Sequence, residues 1–298
     1  MNGGYVNLGI VTVFLLIGGP VFCQDTAGNK EAEQQKKEVK LIKNTFEDGL
    51  LINNQTIEVL RKNTLQFEIQ HRFGRIDKGF EEGQNFDLFG ILGTSNIRIG
   101  LSYGISDKIT LGIGGTKNFG LYNLQWKYKI LSQAETGGMP VSLAYFGNFV
   151  TNTTSSDYFK RTIDRFSFFH QIIIARKFTK KLSLQIAASV SHYNIIDTVS
   201  YSDMKHDNFS ICFGGRYNIS AQGAILFEYT HPLTVSDILG TKPDLGIGFE
   251  ISTRSHVFQL FIGTANGIIN QRNVVFNTND FTKGEMGIGF NITRNWNF

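Results

Sequence analysis

Twelve segments of the chain alternate apolar and polar residues with a period of two. They fall at 64–73, 97–105, 109–116, 122–131, 141–150, 166–177, 182–193, 208–219, 223–230, 244–252, 256–264 and 283–293. A strand points successive side chains to opposite sides, so this alternation makes strands with one apolar and one polar face. In 64–73, Leu65, Phe67, Ile69 and Phe73 oppose Gln66, Glu68, Gln70 and Arg72. In 122–131, Tyr122, Leu124, Trp126, Tyr128 and Ile130 oppose Asn123, Gln125, Lys127 and Lys129. Each segment is close to the ~9–11 residues that a tilted membrane strand needs. The pattern predicts an all-β chain, an antiparallel transmembrane β-barrel of about twelve strands. A soluble barrel shows the same alternation with its apolar face turned inward. Segment 166–177 is apolar on both faces (Phe168, Phe169, Ile172, Ile173, Ile174), which leaves its orientation open.

The connections carry a second signal. Barrels of this kind have short periplasmic turns and longer outer loops. Starting from a periplasmic N-terminus, the outer loops are 74–96, 117–121, 151–165, 194–207, 231–243 and 265–282. The inner turns are 106–108, 132–140, 178–181, 220–222 and 253–255. All but one outer loop are long, and all but one inner turn are short. Four inner turns also run from an apolar residue into Ser or Thr and then polar residues: Ile105-Ser106-Asp107-Lys108, Phe178-Thr179-Lys180-Lys181, Ile219-Ser220-Ala221-Gln222 and Ile251-Ser252-Thr253-Arg254. Hydroxyls at such positions bond nearby backbone amides and close the turn.

The two ends of the chain fit a membrane destination. Met286, Ile288, Phe290 and Ile292 alternate with Gly287, Gly289, Asn291 and Thr293 before the aromatic Phe298, a pattern similar to the insertion signal of outer-membrane barrels. At the front, Leu8 to Ile17 is an apolar run of secretory-signal length, with Gly18, Gly19 and Pro20 after it and a cleavage point near Cys23. The run is not preceded by Lys or Arg. Phe22 opposes a lipoprotein reading of Cys23, because a lipidated cysteine normally follows a small residue; an uncleaved anchor is the remaining alternative. The expected organisation is a signal peptide at 1–23, a periplasmic linker at 24–44 and an outer-membrane barrel at 45–298. Within the last, 45–63 has Leu50, Leu51, Ile52, Ile57 and Val59 without clean periodicity, and reads as an extra strand or a lumen segment.

Composition narrows the picture further. The 32 Gly and 26 Phe against 4 Pro suit long strands joined by tight turns. A formal charge of +4 over 298 residues does not suggest nucleic-acid binding. Loss of the signal leaves Cys212 as the only cysteine, so no intramolecular disulfide or CxxC site forms. Outside the signal there is no stretch of ~18 uncharged apolar residues, which excludes a helical membrane protein.

Six blocks, taken in order, resemble a family of uncharacterised outer-membrane β-barrel proteins of Gram-negative bacteria, a domain of unknown function. They are His71-Arg72-Phe73-Gly74, Ile97-Arg98-Ile99-Gly100-Leu101, Ala175-Arg176-Lys177-Phe178, Gly214-Gly215-Arg216-Tyr217, His256-Val257-Phe258-Gln259-Leu260 and Gly289-Phe290-Asn291-Ile292-Thr293-Arg294. The resemblance implies an outer-membrane barrel with no established activity and no catalytic residues to carry over. Ser255 departs from the usual Gly before the His-Val-Phe-Gln block, which affects a turn only.

Candidate chemistry is sparse. The polar face is expected to hold Glu68, Glu228, Glu250 and Glu285 with Arg72, Arg98, Lys127, Lys129 and Arg216. Neither sign dominates, unlike the single-sign rings of an ion-selective pore. Ion pairs across a narrow lumen, blocking free passage, are therefore the favoured reading over a solute site. The six histidines (His71, His170, His192, His206, His231, His256) contain no zinc spacing, and Ser189-Val190-Ser191-His192 lacks a third partner. Gly112-Ile113-Gly114-Gly115 and Gly246-Ile247-Gly248 have no strand-to-helix context for a nucleotide loop, and fit small residues in a crowded lumen. No catalytic, cofactor-binding or metal-ligating residue is singled out, and no cofactor is expected. The expected partners are outer-membrane lipid and the barrel-assembly machinery, with no nucleic acid and an unknown small solute. The expected function is structural or narrow solute transport, with a barrel hydrolase or a soluble periplasmic barrel binding an apolar ligand as alternatives.

Overall fold

A computed structural model describes residues 40–77, 87–155 and 159–298. The expected signal peptide and residues 24–39 of the expected linker lie outside the described residues.

The described residues form twelve antiparallel strands: β1 (Thr64–Arg75), β2 (Asn96–Ser106), β3 (Ile109–Thr116), β4 (Leu121–Leu131), β5 (Ser142–Asn152), β6 (Phe166–Lys177), β7 (Leu182–Tyr193), β8 (Asp207–Asn218), β9 (Gly223–Pro232), β10 (Asp244–Ser252), β11 (His256–Gly263) and β12 (Gly287–Asn297). Neighbours in sequence are neighbours in the sheet, and β1 pairs with β12 to close a barrel. Closure satisfies every strand's backbone donors and acceptors from within the sheet, which hydrocarbon requires. The outward face is apolar, as at Ile99, Leu101 and Tyr103 on β2 and Phe258, Leu260 and Ile262 on β11, all exposed on the isolated chain. On β4 the outward set is Tyr122, Leu124, Trp126 and Tyr128 and the inward set Asn123, Gln125 and Lys127, as the alternation predicts.

Four inner turns are closed by the expected hydroxyls. Ser106 Oγ accepts the Lys108 N–H at 3.3 Å; Thr179 Oγ1 accepts those of Lys181 at 3.1 Å and Leu182 at 3.0 Å. Ser220 Oγ accepts the Gly223 N–H at 2.8 Å. In the fourth turn Thr253, not Ser252, supplies the oxygen, accepting the His256 N–H at 3.1 Å.

Eleven strands lie within two residues of the alternating segments, and β12 is the exception. It begins at Gly287 because Phe281–Lys283 form a 3-10 turn that ends at Gly284 with φ of 74°. A left-handed residue there breaks an extended run, so ladder pairing starts beyond it. This corrects the placement of Glu285. It sits at the outer rim in an ion pair with Arg75 at 3.1 Å, not on the lumen face.

The two-faced segment β6 is also resolved. Phe169, Ile173 and Ala175 point into the barrel, while Ile172 and Ile174 point outward. Its inward apolar residues have a partner: the barrel is not hollow. The outer loop after β11 turns inward and forms α1 (Asn270–Phe276), whose Val274 and Val275 are buried against the lumen wall of β6 to β9. Residues 45–60 enter the lumen from the opposite mouth.

Candidate functional site: a hairpin clamped in the lumen

The lumen segment is a hairpin. Its legs pair through the Thr56 N–H to the Gly49 carbonyl at 2.9 Å and the Leu51 N–H to the Asn54 carbonyl at 2.8 Å. Leu50 and Gln55 bridge beside a tip of Leu51, Ile52, Asn53 and Asn54. Asparagines suit such a reversal because their side chains also bond out of it. The open end is tied by Glu58, whose Oε1 accepts the N–H groups of Thr45 at 2.8 Å and Phe46 at 3.2 Å. Before the hairpin, Leu41 bridges Ala134 and the Ile42 N–H donates to the Gln133 carbonyl at 2.8 Å, placing the end of the expected linker along the β4–β5 turn.

One side of the hairpin is apolar. Phe46, Leu51, Ile52 and Ile57 are each no more than 2% exposed and share a cluster with Phe146, Phe169, Ile173, Leu226, Phe261 and Val275. Full burial of such a side chain stabilises by about 1.5–3 kcal/mol. Small wall residues make the space. A side chain on Gly214 would meet Leu51 Cδ2 at 2.5 Å, and one on Gly246 would meet Ile52 at 3.2 Å and Glu228 at 3.3 Å. Gly112 and Gly114 similarly leave room for Gln125 and the Arg98 guanidinium.

The other side is a polar clamp around the tip. The fully buried Glu228 carboxylate on β9 accepts three consecutive backbone N–H groups: Ile52 at 3.2 Å, Asn53 at 2.9 Å and Asn54 at 3.2 Å. Converging amides make a concave anion site, and bonds to a charged acceptor are the stronger kind. Arg72 on β1 donates to Asn53 Oδ1 at 2.9 Å, to the Ile52 carbonyl at 3.2 Å and to Asn291 Oδ1 at 2.9 Å. Asn53 Nδ2 donates to Asp244 on β10 at 3.1 Å, and Asn54 Nδ2 to Thr230 at 2.9 Å. Gln259 and Gln185 donate to the Leu50 and Gln55 carbonyls at 3.1 and 2.9 Å. Strands from both sides of the closing seam therefore hold one turn.

These contacts revise the expected cross-lumen ion pairs. Arg98 pairs with Glu68 at 2.8 Å on the adjacent strand, and Arg216 pairs with Glu250 at 2.6 Å one strand beyond its neighbour. Lys129 pairs with Glu58 of the hairpin at 3.0 Å, and Lys127 donates to the Gly49 and Glu58 carbonyls at 2.8 and 3.0 Å. Arg72 and Glu228 both bond hairpin groups. The hairpin occupies the middle of the barrel, so the wall charges meet it before they reach one another.

Inside the lumen the hairpin tip meets α1. The Asn270 side chain of α1 donates to the Asn53 carbonyl at 3.0 Å, and Gln271 reaches Ser167 at 3.2 Å. Between tip and helix remains a space of ≈ 10 Å³, enough for about one water. On the inner side, a cavity of ≈ 980 Å³ opens beneath the hairpin, bordered by Glu58, Gln66, Lys127 and Lys129.

The remaining candidates do not come together. Ser189 bonds Ser210 at 2.6 Å on the lumen side, while His192, which follows the fully buried Ser191, pairs with Asp207 at 2.7 Å at the outer end of β7. Ser191 and His192 project to opposite faces, so no serine–histidine pair forms there. His71 stacks on Phe290 with centroids 5.1 Å apart, and His170 Nδ1 bonds the Tyr145 hydroxyl at 2.6 Å. Among the described residues, no three His, Cys, Asp or Glu side chains gather as a metal site.

Comparison with known proteins agrees with this architecture. An outer-membrane channel from Pseudomonas putida F1 has a TM-score of 0.51 at 11% identity, covering 80% of this chain and 98% of that one. At that identity the likeness is one of fold. The NanC porin (TM-score 0.48, 9% identity, 78% of this chain and 100% of that one) and the KdgM porin (0.45, 7%, 79% and 99%) are more distant. No curated protein matches the sequence. The model of one family, described as a membrane-bound β-barrel domain, matches residues 46–296, from the hairpin into β12. The protein is membrane-bound and belongs to that family, the membrane-bound β-barrel domain DUF5777.

Proposed function

We propose that the protein is a gated conduit for small polar solutes, closed at rest by the 45–60 hairpin and carrying out no catalysis. The observation that carries this reading is the clamp on the hairpin tip. A permanent filling needs only an apolar core, yet here a single turn is held by Glu228, Arg72, Asp244, Thr230 and Asn270 through hydrogen bonds. Water can replace each of those bonds when the hairpin leaves, so release exchanges protein partners for solvent. The vacated wall would be polar at Gln66, Arg98, Gln125, Lys127 and Arg216. Twelve strands enclose less space than the 16- to 18-stranded porins, which limits passage to small solutes.

Uptake by liposomes tests this. Wild-type protein should admit sugars and amino acids slowly. A variant lacking residues 45–60 should admit them at least tenfold faster while excluding larger oligosaccharides. Equal, negligible uptake by both, with the variant confirmed as a folded barrel, would leave a purely structural protein. The surrounding lipid and the assembly machinery that inserts the barrel are the partners this reading requires.

A further inference from the structure

The hairpin carries one buried carboxyl that forms no ion pair among the described residues. Asp48 is 4% exposed. Its Oδ1 accepts the Gly49 N–H at 2.7 Å and Gln66 Nε2 at 3.0 Å, whereas Oδ2 has no hydrogen-bond partner among the described residues. The charged groups facing it are, but for one, already committed. From β1 and β2, Glu68 is bound to Arg98; from β8 and β10, Arg216 is bound to Glu250; within the hairpin, Glu58 is bound to Lys129 of β4. Lys127 donates to two neutral carbonyls and forms no ion pair among the described residues, so it is the one cation left to face Asp48. At the tip, a single guanidinium, Arg72, lies among Asn53, Glu228 and Asp244. Among the described residues around the hairpin inside the lumen, leaving aside the exposed Glu47 and the rim Lys177, six carboxylates (Asp48, Glu58, Glu68, Glu228, Asp244, Glu250) thus face five cations (Arg72, Arg98, Lys127, Lys129, Arg216).

Asp48 borders the inner cavity, but its carboxyl is turned out of solvent; an unmatched negative charge so shielded is costly, and one added proton removes it. Asp48 offers the carboxyl oxygen left without a bond. We propose that the hairpin is a proton-sensitive gate, seated in the lumen with Asp48 protonated and released as Asp48 ionises. This rests on the gated reading above. Burial first, then Glu68 and Glu250, pushes the Asp48 carboxyl up to about 7 in the closed barrel. Hydrated outside the clamp, it returns to the ordinary value of about 3.9. The closed form therefore binds one more proton between those limits. Closure is strongest below about pH 4 and weakens as pH rises to about 7, beyond which Asp48 adds no further change.

The test is the open probability of single barrels in planar bilayers at pH 5, 6 and 7. Measurements use wild type, Asp48→Asn and the variant lacking 45–60. Wild type should open about tenfold more per pH unit, the slope of one linked proton. Asp48→Asn, a neutral side chain of the same shape, should stay closed and change less than twofold. The deletion should conduct at every pH. A wild type indifferent to pH beside a conducting deletion overturns the proton gate and leaves the gated reading standing. An Asp48→Asn variant that follows wild type also overturns it. A folded deletion that does not conduct overturns both.

Discussion

The Glu228 carboxylate accepts the Asn53 N–H with its two oxygens at 2.9 and 3.0 Å, joining residues 175 apart in sequence. Hydrogen bonds to a charged acceptor contribute about 1.5–3 kcal/mol each. In Glu228→Gln the charge is lost and one acceptor becomes a donor aimed at donors. The clamp should weaken by about 2 kcal/mol, or ~30-fold in the population of released hairpin. Cys212 reports it, because it lies in the same buried cluster as Leu51 and Ile52. At fixed pH, a water-soluble maleimide should modify Cys212 about 30 times faster in Glu228→Gln than in wild type. Equal rates would mean that Glu228 does not hold the turn.

Gly246 tests the fit from the wall side. A valine there would crowd Ile52 and Glu228. Overpacking of this kind costs about 1–3 kcal/mol. The hairpin can yield by leaving, whereas the ladder of β10 cannot, so Gly246→Val should speed Cys212 modification between fivefold and 150-fold. The unheated protein should still run as a folded barrel on a gel. Loss of the folded band would show that the strand, not the hairpin, gives way.

The faces of β4 are open to single-cysteine scanning in a Cys212-free background. The alternation alone would make positions 125 and 127 reactive toward water-soluble reagents. With the hairpin seated, Gln125 is 9% and Lys127 5% exposed. Both should therefore react slowly in wild type and at least tenfold faster once 45–60 is removed. Positions 124 and 128 should be unaffected by the deletion, since they face lipid. Fast reaction at 125 and 127 in the intact protein would contradict the seated hairpin.

The closing seam carries the fold itself. Ile292 on β12 lies opposite Ile69 of β1 and Phe258 of β11 near the middle of its strand. Arginine on the lipid face costs about 2–4 kcal/mol near the bilayer centre. Ile292→Arg should reduce the folded fraction in lipid vesicles by at least tenfold, read by migration of unheated samples. Unchanged folding would place this face away from lipid.

The barrel was legible because period-two alternation is local, and each strand states its own faces. The Ser and Thr turns are local as well. The lumen was harder to read because its partners are remote: nothing near Asn53 in the sequence announces Glu228, Arg72 or Asp244. For the same reason 45–63 lacked periodicity, its residues being matched to a surrounding wall. The two-faced β6 was the readable hint that something apolar fills the barrel, and Phe169 and Ile173 do meet the hairpin cluster. The helix α1 is too short for helical periodicity to mark it: Ile268-Ile269 and Val274-Val275-Phe276 are two brief apolar runs within an outer loop. Alternation places Glu285 on the lumen face because it does not register the turn that ends at Gly284.

Single-channel recording at pH 5, where the seated hairpin holds Asp48 protonated, compares the intact barrel with the variant lacking residues 45–60. The intact barrel should be closed for most of the record, with brief openings, and the variant should show steady conductance well below that of a 16-stranded porin. Steady conductance from the intact barrel, or silence from a folded variant, would contradict a lumen gated by its own hairpin.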